Sequence, residues 1–195
     1  MYEKINITEN HLRALCAFTR GFDKGYYIRE LQRLLKISPR TAQLILEDLE
    51  GKGVLESKIR GKIKVYQLKN NYPAQEYLIF AEEYKKIAFL EKKLLAKEVI
   101  EKITPFIQGI GLIFGSYAKG LEKKGSDMDI FIAGSYDRKK TEQIGKLYGI
   151  NLSIKNYPLP LFYQELKKDT LIKEVLNNHV VFCGAEELVR RILNG

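Results

Sequence analysis

The feature that most restricts the fold stands in mid-chain. Ile110-Gly111-Leu112-Ile113-Phe114 is an apolar run ending in Gly115-Ser116, and ten residues after Ser116 the run Ser126-Asp127-Met128-Asp129-Ile130-Phe131-Ile132-Ala133 begins. Short apolar runs bounded by glycine and polar residues read as buried strands. Alternate residues of a strand share a face, so Asp127 and Asp129 project together while Met128 and Ile130 take the apolar side. Carboxylates held side by side repel unless a cation or solvent compensates them, which makes the pair a candidate ligand set for a divalent metal. Gly115 at the bend lets backbone amides approach an anion closely, Ser116 adds a hydroxyl donor, and a helical turn starting there favours negative charge. Lys119, about one turn further on, adds a cation.

Around this centre strands and helices alternate. The pattern predicts a helix over 138–148, a strand over 150–155, one or two helices over 160–176, a short strand over 180–182 and a terminal helix over 185–193. Interleaving of this kind implies a small mixed sheet with flanking helices. Residues 73–106, opened by Pro73 and then without Gly or Pro until Pro105, read as one long helix or two in series. Tyr77, Phe80, Ala81, Tyr84, Ile87 and Ala88 form an apolar stripe there, read as core against a neighbouring domain or, alternatively, as a homodimer seam.

The first third has a different pattern. Thr8 caps a helix that Gly21 should stop, a short helix over 28–35 buries Ile28, Leu31, Leu34 and Leu35, and Ser38-Pro39 opens a third helix running to about Lys52. Its inward face is Ala42, Ile45, Leu46 and Leu49, which leaves Arg40, Thr41 and Gln43 pointing away. Two strand-like runs, 54–59 and 63–68, are joined by the basic tip Arg60-Gly61-Lys62. The class is therefore α+β in two domains, residues 1–70 and 106–195, with 71–105 as a helical linker.

Charge points to an anionic partner, and its distribution says where. Over residues 1–70 there are 14 Lys and Arg against 8 Asp and Glu, over 71–195 there are 19 against 16, and the whole chain carries +9. Met1-Tyr2-Glu3-Lys4-Ile5-Asn6 has no basic and apolar leader, and no apolar run is long enough to span a membrane, so a cytoplasmic protein without a membrane partner is expected. Cys16 and Cys183 lack metal-type spacing and read as two buried free thiols.

Three helices followed by a hairpin resemble the winged-helix form of helix-turn-helix DNA-binding domains over roughly residues 8–70. That resemblance implies duplex DNA as a partner, with the third helix (Arg40, Thr41, Gln43) in the major groove and Arg60 and Lys62 on neighbouring phosphates. The arrangement of Gly-Ser followed by Asp-x-Asp resembles the minimal nucleotidyltransferases of the DNA polymerase beta superfamily. The likeness extends over roughly residues 90–193, and the ending around His179 is similar to microbial, archaeal-type proteins that join a winged helix to such a domain. It implies that Gly115, Ser116, Lys119 and Ser126 bind a nucleoside triphosphate, that Asp127 and Asp129 are catalytic and ligate Mg²⁺, and that His179 is structural. Active members add a third carboxylate from a later strand, whereas the corresponding run here offers only Asn151, Ser153 and Lys155 on the polar face. Two readings follow: transfer of a nucleoside monophosphate to a hydroxyl, or a DNA-binding regulator whose degenerate C-terminal domain senses nucleotide or dimerises.

Overall fold

The computed structural model describes residues 5–194. Met1 to Lys4, on which the reading of the N-terminus partly rests, lie outside the described residues. The chain divides into two compact units between Ala81 and Glu82.

The first unit contains α1 (Glu9–Phe18), α2 (Ile28–Leu35), α3 (Pro39–Gly51) and the antiparallel hairpin β1 (Leu55–Arg60) and β2 (Ile63–Leu68). At the start of α1 a histidine takes the place usually held by Glu or Gln: Thr8 N–H donates to His11 Nδ1 at 3.2 Å, and His11 Nε2 lies 3.2 Å from Asp48. Burial lowers the His11 pKa, in keeping with a neutral ring whose Nδ1 accepts. The helix stops at Phe18 with Thr19 as its cap, earlier than the glycine predicts, and a turn leads on to Gly21 (φ 81) and Phe22 (φ 62), both left-handed. Leu34 of α2 is exposed rather than inward, since Leu31 and Leu35 alone complete the buried stripe. In α3, Pro39 opens the helix, Ser38 Oγ accepts from Thr41 N–H at 3.0 Å, and Ala42, Ile45, Leu46 and Leu49 are buried. Tyr26 extends the hairpin by exchanging 2.8 Å backbone hydrogen bonds with the buried Tyr66.

Two helices in series, α4 (Tyr72–Lys92) and α5 (Leu94–Ile103), are separated by the non-helical Lys93. The stripe expected to be core packs only in part: Ala81 is buried and Tyr77, Tyr84 and Ala88 are half-buried, but Phe80 and Ile87 are 50% and 53% exposed. The buried positions are Ala74, Gln75, Leu78, Ala81, Glu82 and Phe89, a set that shares only Ala81 with the stripe. The small side chains of Ala74 and Ala81 allow close backbone approach on the buried face.

In the second unit a four-stranded sheet has the order β5-β4-β3-β6, built from β3 (Ile107–Ile113), β4 (Met128–Tyr136), β5 (Leu152–Tyr157) and β6 (Val180–Cys183). Only the β4–β5 pair is parallel. On one face Ile113, Met128, Ile130, Ile132, Val180 and Phe182 pack with Ala96, Val99, Ile100 and Ile103 of α5, while α7 (Arg138–Leu147) adds Ile144. On the opposite face Phe131 stacks at 5.3 Å on Tyr157 and at 5.7 Å on Phe162 of α8 (Leu159–Glu165). The pair α9 (Thr170–Asn177) and α10 (Ala185–Asn194) completes the unit. His179, expected to be structural, is buried with Glu82: its Nδ1 faces Leu176 O at 2.8 Å and its Nε2 faces Glu82 Oε1 at 3.3 Å. Cys16 and Cys183 form no disulfide and are only partly buried, and burial pushes the Cys183 thiol up to about 11. No helix among the described residues is long and apolar enough to cross a membrane.

Candidate functional site

Three strand ends meet where β3 finishes and β4 and β5 begin. Phe114 N–H donates to Asp129 O at 3.0 Å and Met128 N–H donates to Asn151 O at 2.9 Å, which brings residues 113–116, 127–129 and 151–153 to one edge of the sheet. Met128 and Ile130 are fully buried, Asp129 is half-buried and Asp127, one residue ahead of β4, is exposed. Strand alternation thus delivers the carboxylates to the face opposite the α5 core.

Gly115 is fixed to this place by Asp129. Its backbone is left-handed (φ 66), and a Cβ built on it would stand 2.2 Å from Asp129 Oδ2. The close packing puts the main chain of the Gly115-Ser116 bend against a carboxylate, at the start of the one-turn helix α6 (Gly115–Lys119). A helix of five residues contributes little macrodipole, so an anion here would rely on local amides and the Ser116 hydroxyl rather than on the helix as expected.

In the parallel β4–β5 register Asp129 pairs with Ser153, and Met128 with Leu152. The residue beside Asp129 on its own face is therefore neutral. Among the described residues no group of three or more His, Cys, Asp or Glu is arranged to hold a metal. The donor set of Asp127, Asp129 and a hydroxyl oxygen consists of hard oxygen ligands of the kind Mg²⁺ takes, and phosphate and water oxygens would have to complete it. It does not amount to an all-protein cage.

Lys119 closes α6 and is exposed. Ser126 serves the loop itself, since its Oγ accepts from Lys123 N–H at 2.9 Å and its N–H donates to Lys123 O at 3.0 Å, closing a turn with Gly125 at φ 84. Glu122, which sequence reasoning passed over, is paired with Lys93, whose hydrogen bond holds the carboxyl below its ordinary range. Tyr117 is raised by burial first and then by the charges of Glu122 and Asp127, so these groups lie within one electrostatic neighbourhood. Nothing in the sequence marks Glu122 and Lys93 as partners, since 29 residues separate them.

The basic surface of the first unit is partly self-occupied. Arg40 donates to Gln43 at 3.3 Å and Gln43 to Glu47 at 2.8 Å, while the Thr41 hydroxyl lies 2.8 Å from Ser38 Oγ. Lys58 and Lys64 are ion-paired with Glu56 and Glu50. Arg60, the last residue of β1, and Lys62 in the turn are exposed and make no ion pair among the described residues.

The decisive comparison concerns the second unit. Residues 97–187 match the family model described as Polymerase beta, Nucleotidyltransferase. No curated protein and no solved structure matches the chain. The nucleotidyltransferase match starts inside α5 and ends inside α10, so it contains the whole four-stranded sheet and every candidate of the carboxylate edge. Nucleotidyl transfer in general, with a nucleotide as substrate, is the chemistry this similarity supports.

Proposed function

We propose that residues 97–187 bind a nucleoside triphosphate with Mg²⁺ and transfer its nucleoside monophosphate to a hydroxyl acceptor. The observation that carries this reading is the packing of the Gly115-Ser116 bend onto Asp129, with Asp127 exposed beside it. When bound by Asp127 and Asp129, Mg²⁺ neutralises charge on the triphosphate. Gly115 and Ser116 orient the phosphates through amide and hydroxyl donors, and Lys119 adds a mobile cation at the rim. The acceptor oxygen forms its bond to the α-phosphorus, the bond from that phosphorus to the bridging oxygen breaks, pyrophosphate leaves and the acceptor proton passes to solvent.

A second reading is favoured by Ser153. With a neutral hydroxyl beside Asp129, the site holds one metal better than two, and nucleotide binding without transfer suits a regulator that senses nucleotide. Incubation with each labelled nucleoside triphosphate and Mg²⁺ separates the two. Labelled product with any hydroxyl acceptor establishes the transferase, whereas metal-dependent binding without product establishes the sensor.

In both readings residues 8–70 form a winged helix that binds duplex DNA, supported by three helices, a hairpin and the exposed Arg60 and Lys62, which make no ion pair among the described residues. Arg60→Glu with Lys62→Glu should weaken binding to all duplex sequences and lower the salt slope by about 0.9 per lost phosphate contact. Unchanged affinity and slope would make the unit a protein-interaction module instead.

A further inference from the structure

The loop between α6 and β4 carries cations that the proposed chemistry does not use. Lys123 and Lys124 are exposed, make no ion pair among the described residues, and precede Asp127 by only a few positions. Their turn is closed by both Ser126 hydrogen bonds and by Gly125 in the left-handed conformation, so the two side chains are displayed from a fixed backbone. Of the loop's two acids, Glu122 has a side chain only 15% exposed and is paired with Lys93, and Asp127 is the exposed carboxylate assigned above to the metal. The outward charge of residues 119–124 is therefore wholly positive, while Leu121 among them is 69% exposed. A small hydroxyl acceptor has no use for two further cations and an apolar contact. A nucleic-acid strand presents a phosphate at every nucleotide and apolar sugar and base surface between them, and matches both features.

We propose that Lys123 and Lys124 bind the phosphodiester backbone of a single-stranded nucleic acid and thereby make a polynucleotide end the hydroxyl acceptor. The inference rests on the nucleotide-binding reading of the same site. Lys119 stays with the triphosphate, and the lysine turn holds the strand that approaches Asp127 from the loop side.

The test uses the full chain with Arg60→Glu and Lys62→Glu present throughout, so that any contribution of the hairpin is reduced equally in all samples. Lys123→Gln with Lys124→Gln is compared with this parent for binding of a labelled single-stranded oligonucleotide over a range of salt, and separately for a fluorescent nucleoside triphosphate with Mg²⁺. Both positions are exposed, and circular dichroism checks that the fold is kept. The expected result is a loss of about tenfold in oligonucleotide affinity and a salt slope lower by roughly 1.4, from 0.7 per single-strand phosphate contact, with nucleotide affinity within about twofold. Unchanged oligonucleotide affinity and slope overturn the proposal. So does a parallel fall in nucleotide affinity, which would assign the lysines to the triphosphate. A parent that binds no nucleotide with Mg²⁺ removes the foundation, and the nucleotide titration alone reveals it.

Discussion

At Gly115 the absence of a side chain leaves room for the carboxylate of Asp129. A methyl group there would meet Oδ2 at 2.2 Å on a backbone with φ 66. Gly115→Ala should cost about 1–2 kcal/mol from the left-handed conformation alone, with a further loss as Asp129 is pushed aside. Denaturant unfolding should show that destabilisation, and nucleotide titration with Mg²⁺ should show weaker binding. Full retention of both would mean that the bend relaxes and the contact is incidental. The spacing of Asp127 and Asp129 is legible in the sequence because strand alternation is a local rule. The reason for Gly115 is legible only in part: a bend is evident, but contact with a residue fourteen positions on depends on how β3 and β4 pair. Ser153 shows the same limit, since alternation puts Asn151 and Ser153 on one face and only the parallel register selects Ser153 as the neighbour of Asp129.

Among the elements, α4 is the least legible in the sequence. Its helical extent follows from composition, but its apolar residues occupy more than one arc, and periodicity does not decide between arcs that differ mainly in side-chain size. The second half of α4 carries a fully buried acid. Glu82 accepts from Lys85 Nζ at 2.9 Å and lies beside His179, and although burial raises its pKa, Lys85 and then His179 outweigh that and bring it down to about 2. Removing the charge leaves buried His179 and the partly exposed Lys85 facing a neutral group, so Glu82→Gln should destabilise by about 1–3 kcal/mol. The pH dependence has a definite sign. A carboxyl with a depressed folded pKa contributes stability that is present above its ordinary 4.5 and is lost as pH falls toward 2. Acid unfolding followed by circular dichroism should show a steep limb in that window for the parent and a shallower one for Glu82→Gln. Equal limbs would show that another carboxylate dominates.

For the whole molecule, the α+β class, the order of elements and the small mixed sheet are all readable, because each strand and helix carries its own periodic signal. The ion pairs Lys93 with Glu122 and Glu82 with His179 are not, because they join residues far apart in sequence. The +9 charge belongs to this scale too and favours anionic partners in general; as proposed, those partners bind at the exposed lysines of residues 119–124 and at Arg60 and Lys62, which make no ion pair among the described residues. Everything proposed for the second unit depends on Asp127 and Asp129 holding the metal through which a nucleotide binds. The most direct test is nucleotide affinity titrated with and without Mg²⁺ in the parent and in Asp127→Asn with Asp129→Asn, a change that removes both charges at nearly constant volume. The expected result is an affinity that rises with Mg²⁺ in the parent and no longer responds to Mg²⁺ in the double variant; the same Mg²⁺-dependent affinity in both proteins would contradict it.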